Sequence, residues 1–236
     1  MKIAVTKLKE KSEGIQELFG RYGHEVSIIS TMRAAEPANH EPFTYLCGMV
    51  LENRIDILIF TSALGVDKFF EKTRPGEKVR IVSVGPKTAD RVKRYGFSSE
   101  VIANFSSDNF AQYLGDIRGK TIGIARAEVP NPELTDSLTS GGAIVIEASA
   151  YRLEPEGKNI RSTLKGLDAV IFTSARSFEF SGFDKDSARR IKVIAIGHKT
   201  AEAMKEHGII PDIVGNGTLE NCLELLSFKR VADTCK

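Results

Sequence analysis

Cysteine is scarce in this 236-residue chain. Its three copies, Cys47, Cys222 and Cys235, are far apart. No CxxC occurs and no Cys/His spacing suits zinc, so a disulfide-dense miniprotein and a zinc module are excluded. Cys47 and Cys222 fall in apolar helical patterns and are expected as buried thiols, while Cys235 stands in a polar tail. No apolar run approaches the ~18 residues of a membrane span. The opening MKIAVTKLKEKSEG turns charged too soon for a signal-peptide core, so a cytoplasmic protein is expected. Neither sign of charge dominates: 33 basic and 31 acidic residues leave a formal +2. That balance gives no case for nucleic-acid binding, which usually shows a basic domain or stripe. GxGxxG, HExxH and GxSxG are all missing, which removes support for a dinucleotide site, a zinc protease and an esterase-type nucleophile. GDIRGKT from Gly115 is one residue short of a phosphate-binding loop, and runs from helix to strand, the wrong order.

What is present is an alternation. Hydrophobic residues make up 42% and charged residues 27%, ordinary globular usage, and two domains of about 110 residues would each hold a core. Short runs rich in Ile, Val and Phe recur: Ile3–Thr6, Val26–Ser30, Asp56–Ser62, Val79–Val84, Val101–Asn104, Thr121–Ala125, Ala143–Ala148, Asp168–Ser174 and Lys192–Ile196. Several are apolar on both faces, as buried parallel strands are. Helical patterns lie between them, such as EGIQELFGRYG from Glu13, PKTADRVKRYG from Pro86, HKTAEAMKEHG from His198 and TLENCLELL from Thr218. Three of these end in Gly23, Gly96 and Gly208, as left-handed helix caps prefer. The pattern predicts an α/β protein with parallel sheets flanked by helices. STMRAAEPANHEP from Ser30 and YRLEPEG from Tyr151 break the rhythm and are the expected crossings between domains.

The chain also repeats itself. DILIFTSALGV from Asp56 matches DAVIFTSARSF from Asp168. VSVGPKTADRVKRYGF from Val82 matches IAIGHKTAEAMKEHGI from Ile194, at the same offset. More weakly, KIAVTK and its following strand match KTIGIAR and its own, setting Lys7 against Arg126. Two copies imply two similar lobes, with a ligand at the C-terminal ends of the strands. Each copy brings a Thr-Ser-Ala loop (Thr61-Ser62-Ala63 and Thr173-Ser174-Ala175) and a Gly-x-Lys-Thr loop (Gly85-Pro86-Lys87-Thr88 and Gly197-His198-Lys199-Thr200). Such loops, opening helices, offer free N–H groups, hydroxyls and lysine charge to an anion with several carboxylates or phosphates. The same residues also serve as plain N-caps. His24 and His40 lie near turns and are expected in solvent. His207 falls in a last helical turn, where a cation favours the helix end. With no nucleophile–base pair or metal cluster in view, the chain reads either as a binder or as an enzyme whose reaction needs positioning more than acid–base machinery.

The blocks FTSALGV, VSVGPKTADRVKRYGF, IFTSARS and AIGHKTAEAMKEHGIIPDIV, in this order, resemble the uroporphyrinogen-III synthase family, from Lys2 to about Leu226. Ala150-Tyr151-Arg152 fits that family's tyrosine at the exit of the second lobe, and Arg126 its basic residue after a strand. The chain departs from the family's commoner residues at Lys7 (more often Arg) and His198 (more often Pro). The resemblance implies two internally duplicated α/β lobes joined by a two-stranded connector. Lobe one would be discontinuous, 1–33 with 153–236, and lobe two would be 34–152. It implies a lyase acting on hydroxymethylbilane, a linear tetrapyrrole with eight carboxylates, which is closed with inversion of ring D and loss of water. No cofactor and no metal are implied, and the chain is expected as a monomer with a possible hand-over of substrate from hydroxymethylbilane synthase. Under this reading Tyr151 donates a proton to the leaving hydroxyl. Ser62, Ala63, Thr88, Ser174, Ala175, His198 and Thr200 line the binding loops, and Lys7, Lys87, Arg126 and Lys199 complement the carboxylates. The alternative is a non-catalytic tetrapyrrole or anionic small-molecule binder of the same fold. A nucleotide-dependent enzyme is disfavoured by the missing motifs.

Overall fold

In a computed structural model of the chain, the residues described are 1–8, 12–102, 110–129, 131–157 and 159–234. Side chains are described as far as residue 227, Phe110 excepted. Ala103 and Asn104 of one expected strand, and Cys235, lie outside the described residues.

The order of elements is β1 (Lys2–Thr6), α1 (Ile15–Arg21), β2 (Glu25–Ile29), β3 (Met32–Ala35), α2 (Glu41–Leu51), β4 (Ile57–Phe60), α3 (Ala63–Lys72), β5 (Arg80–Val84), α4 (Pro86–Arg94), β6 (Glu100–Ile102) and α5 (Phe110–Leu114). There follow β7 (Thr121–Ala127), α6 (Pro132–Ser140), β8 (Ile144–Pro155), β9 (Ala169–Phe172), α7 (Ala175–Glu179), α8 (Lys185–Ala188), β10 (Lys192–Ala195), α9 (His198–Glu206), β11 (Ile213–Val214) and α10 (Leu219–Thr234). The chain divides into two compact units, 1–33 with 154–236, and 34–153. The first holds a five-stranded parallel sheet in the order β11-β10-β9-β1-β2. A six-stranded sheet in the order β3-β8-β7-β4-β5-β6, parallel from β8 to β6, is the frame of the second.

The strands are apolar on both faces because helices cover both. All four residues of β4 and of β9 are buried. In the first unit, Ala4, Val170 and Phe172 pack on one side of the sheet, and Ile3, Val5, Ala169 and Ile171 on the other. In the second, Leu58 and Phe60 face one core, and Ile57, Ile59, Ile122 and Ile124 the other. Asp56 and Asp168, paired in the sequence repeat, do the same job in each sheet. Asp56 accepts a hydrogen bond from the Thr121 amide at 2.8 Å, and Asp168 from the Lys2 amide at 2.7 Å. Each carboxylate satisfies a backbone donor at the start of a neighbouring strand.

One expectation needs correction, at His24. The crossing segment YRLEPEG from Tyr151 is strand as far as Pro155, where β8 ends. Its polar residues are tolerated because several stay half-buried, with Glu154 paired to Arg33 at 3.1 Å. His24 is not in solvent but buried, at 7% exposure. Gly23 adopts a left-handed φ of 69°, which turns the chain back so that the His24 amide donates to Phe19 O at 3.1 Å. His40 is exposed. Cys47 and Cys222 are buried free thiols, and burial pushes each up to about 11.

Candidate functional site at the strand ends

In the second unit β4 ends in Thr61-Ser62. Ser62 is extended (φ −158°) and caps α3, its Oγ accepting from the Gly65 amide at 3.1 Å. Tyr151 reaches the same oxygen. β7 and β8 pair in register from Thr121↔Ile144 to Arg126↔Ser149, then slip so that Ala127 faces Tyr151. The slip is a bulge, which re-aims side chains at a strand end. It lets Ala150 and Tyr151 both be buried in the core that includes Phe60 and Leu64. The phenol oxygen of Tyr151 lies 3.1 Å from Ser62 Oγ. Tyr151 is 2% exposed and Ser62 half-buried. Burial holds the phenol above its usual range.

Arg126, on the neighbouring strand, is already engaged. Its Nε donates to Glu147 Oε1, and Glu147 also accepts from the Thr135 hydroxyl of α6 at 3.1 Å. The two charged side chains are 13% and 27% exposed. Burial lowers the hold of the guanidinium on its proton. The second loop of this unit turns at Gly85, whose φ of 79° and ψ of 156° suit glycine alone. Lys87 is then exposed and Thr88 buried.

The first unit builds its Thr-Ser loop differently. Ser174 is also extended and caps α7, accepting from the Ser177 amide at 3.0 Å. Here, however, the helix carries a serine where α3 has Gly65. Ser177 Oγ accepts from the Ser174 amide at 3.1 Å and donates to Ser174 O at 2.8 Å, a closed capping box. Below it, Thr6 Oγ1 lies 3.0 Å from Ser177 Oγ and accepts from the Thr173 amide at 3.3 Å. The Thr173 hydroxyl donates to Thr6 O, and Thr31 Oγ1 donates to Ser177 O at 2.8 Å. Thr6, Thr31 and Ser177 are fully buried. At the second loop, Gly197 is simply extended (φ −168°), His198 and Lys199 are exposed, and Thr200 is buried. Lys7, half-buried, follows β1, its amide donating to Ile29 O at 3.1 Å. His207 caps α9: its ring Nδ1–H donates to Ala203 O at 2.9 Å, and the ring meets Phe178 edge-on.

The structure therefore brings together Ser62 and Tyr151, and leaves Lys87, His198 and Lys199 at exposed helix starts. Thr88 and Thr200 turn inward. Residues that sequence reasoning passes over are Glu147, Gly65, Thr6, Thr31 and Ser177. Glu147 does carry a signal, a lone acid within the apolar run AIVIEASA. Among the described residues no group of three or more His, Cys, Asp and Glu side chains is placed to hold a metal ion, and no helix is long and apolar enough to cross a membrane.

Known proteins resemble this chain in sequence and in fold. The family model described as uroporphyrinogen-III synthase HemD matches residues 13–181 and 154–232. A protein of Methanothermobacter thermautotrophicus, provisionally assigned as a uroporphyrinogen-III synthase, is 28% identical over 230 residues, covering 88% of this chain and 90% of the relative. Among solved structures, uroporphyrinogen-III synthetase from Helicobacter pylori shares the fold with a TM-score of 0.63 at 20% identity, over 97% of this chain and 99% of the other. A mutant uroporphyrinogen III synthase from Thermus thermophilus gives 0.61 at 22% identity, over 99% of both chains. The family match runs through both units and both Thr-Ser loops, and on that ground the chain belongs to the uroporphyrinogen-III synthase family.

Proposed function

We propose that this chain is a lyase of tetrapyrrole biosynthesis that closes hydroxymethylbilane to uroporphyrinogen III, inverting ring D and releasing water. The observation that carries the reading is the family match across residues 13–181 and 154–232. The reaction proceeds by loss of the hydroxymethyl oxygen to give an electron-poor azafulvene. Ring D then attacks through its substituted carbon, and the spiro intermediate fragments and recloses with ring D turned over. The pyrrole nitrogens supply the electronic push. The protein is left with two tasks, helping the hydroxyl depart and holding the chain in its folded geometry. Unassisted closure gives the uninverted isomer, so control of conformation is the larger task.

In this reading the strand-end loops hold the carboxylates. Ser62, Ala63 and Ala175 contribute N–H groups, Ser62 and Ser174 hydroxyls, Thr88 and Thr200 shape the second loops, and Lys87, His198 and Lys199 lie exposed beside them. Lys7 adds charge. Arg126, held by Glu147, orients its loop as well as adding charge. Tyr151 is the proton source for the leaving hydroxyl, supported by its contact with Ser62 at the end of the sheet. The two-lobed duplication, with lobe one at 1–33 and 153–236 and lobe two at 34–152, is supported by the repeated loops and by Asp56 and Asp168 in matching roles. The connector is formed by β3 and β8, neighbours in one sheet. The enzyme works in the cytoplasm as a monomer, taking hydroxymethylbilane as the synthase releases it.

The test is an isomer assay. Hydroxymethylbilane is generated in place by a deaminase, this protein is added, and the oxidised porphyrins are separated by chromatography. Type III in excess over the protein-free control is the expected result. Type I alone, from folded protein and fresh substrate, overturns the reading.

A further inference from the structure

At Ser62 the protein supplies more donors than acceptors. Tyr151 is 2% exposed, and its phenol oxygen has Ser62 Oγ, 3.1 Å away, as its partner among the described residues. A buried O–H needs an acceptor, so the phenol donates to the serine. Ser62 Oγ also accepts from the Gly65 amide at 3.1 Å. A serine oxygen has two acceptor sites and one hydrogen. Both acceptor sites are filled, and the hydrogen remains for a third group. Ser62 is the half-buried member of the pair, so it, rather than Tyr151, is the hydroxyl that a ligand reaches.

Glycine at position 65 makes this possible. In the first unit the corresponding Ser177 takes up the backbone of Ser174 and closes the capping box. A Cβ at Gly65 would lie 3.0 Å from Ala125 O and 3.2 Å from Ser62 Oγ, crowding the oxygen that Tyr151 uses.

We propose that Ser62 hands the proton to the leaving hydroxyl and that Tyr151 stands behind it as a positioning residue and proton reserve. The inference rests on the synthase reading above. As the C–O bond of the hydroxymethyl group breaks, its electron pair leaves with the oxygen. That oxygen takes the Ser62 proton and departs as water. Ser62 takes the Tyr151 proton and stays a neutral serine. Tyr151 becomes a phenolate and the substrate an azafulvenium cation. When the rearranged ring closes, the proton lost from the ring carbon on rearomatisation returns through Ser62 to Tyr151. Atoms and charge balance over the cycle, with water the one product besides the macrocycle.

The experiment is steady-state kinetics of type III formation by the full chain, with Ser62→Ala, Tyr151→Phe, the double variant and Ser62→Thr. A relay gives falls of about 100-fold in kcat for each single variant, within the usual range for a general acid. KM stays within about threefold, and the double variant is no more than about threefold slower than the slower single, because both act as one unit. Ser62→Thr, which keeps the hydroxyl, returns to within about fivefold of the parent. Thermal melts check folding. Glycine is itself a fair N-cap, so Ser62→Gly replaces the alanine variant if that one does not fold. Loss of activity in Tyr151→Phe with near-full kcat in Ser62→Ala overturns the relay and makes Tyr151 the direct donor. Multiplying losses in the double variant also overturn it. Near-full rate in both single variants removes the relay and the Tyr151 role together, while a wild-type protein that forms no type III isomer overturns the synthase reading itself.

Discussion

The two units carry the same Thr-Ser turn and support it by opposite means. Under Ser174 lies a dry set of hydroxyls, Thr6, Thr31 and Ser177, tied to the loop backbone. The matching places under Ser62 hold Ala125, Ala150 and Gly65. β1–β2 and β7–β8 pair with the same stagger, Lys2↔Glu25 and Thr121↔Ile144, which sets Thr6 against Ala125, Thr31 against Ala150 and Met32 against Tyr151. One unit commits its hydroxyls to its own backbone. In the other, a single phenol from β8, two strands away across β7, reaches the capping serine, and that serine keeps a hydrogen to give. The same stagger sets Lys7 and Ile28 of the first unit against Arg126 and Glu147 of the second. A half-buried ion pair stands in one sheet where the other has a lysine and an isoleucine. The general lesson is that a shared backbone turn leaves the protonic wiring beneath it open to choice.

Exchanging features between the units tests that comparison. The largest effect is expected at Glu147. Removing it as Glu147→Ala leaves Arg126 without its carboxylate partner and costs about 3 kcal/mol, read from urea melts. The pair Arg126→Lys with Glu147→Ile, which copies the first unit, costs about 1 kcal/mol, since the flexible lysine stem carries its charge out to water while the isoleucine fills the space. Equal losses in the two would mean that the ion pair is incidental. Next comes Ser177→Gly, which writes the second unit's residue into the first. It opens the capping box and removes one partner of the Thr6 hydroxyl, which keeps Ile171 O and the Thr173 amide, at about 2 kcal/mol. A loss below about 0.5 kcal/mol would remove the claim that the hydroxyl set holds this loop. Third is the pair of second loops. Gly85→Ala forces a side chain into backbone geometry open to glycine and costs about 1.5 kcal/mol. Gly197→Ala, extended and with its nearest neighbour at an ordinary 3.5 Å, changes stability by less than about 0.5 kcal/mol. Equal melting temperatures for the two would erase the distinction.

The smallest effect is common to both units. Cys47 in one and Cys222 in the other are held near 11 by burial, against 9.0 for an open thiol. The folded chain keeps these protons after the unfolded chain has begun to lose them. Their contribution is therefore fully present below about pH 9 and is lost as pH rises from about 9 to about 11. By about pH 9.5 each thiol has lost less than about 1 kcal/mol. Cys47→Ala and Cys222→Ala should each flatten the fall in stability between about pH 8 and 9.5, and an unchanged slope in both would count against the burial argument.

Much of this is readable without coordinates. Ser62, Ser174, Pro86 and His198 sit at helix starts because strand, cap and helix follow one another with local signals that survive without tertiary context. The contact between Tyr151 and Ser62 is not. Their separation in sequence is 89 residues, and the contact depends on a one-residue slip between β7 and β8. Simple alternation sends Ala150 and Tyr151 to opposite faces, and the bulge overrides it. The buried position of His24 is hidden for a related reason. Polarity and a nearby turn argue for solvent, but the tight return after Gly23 tucks the ring away. Arg126 is visible as a cation after a strand. Its neutralising partner is visible as an acid in an apolar strand, yet only the pairing of β7 with β8 shows that they meet.

The division of the chain has a consequence for synthesis. The first unit is made of two segments that flank the second in sequence: β1 is hydrogen-bonded to β9, and the Lys2 amide finds Asp168 across a separation of 166 residues. At about 5–20 residues per second, β1 emerges from the ribosome roughly 8 to 30 s before its neighbour exists. During that interval Ile3 and Val5, both apolar, have no β9 beside them. The second unit, one unbroken stretch from 34 to 153, has its whole sheet apart from part of β8 and β3's first residues within reach of itself. Vectorial production thus builds the later-numbered unit first and leaves β1 waiting, an aggregation-sensitive pause that the charge of its first residue, Lys2, helps to guard.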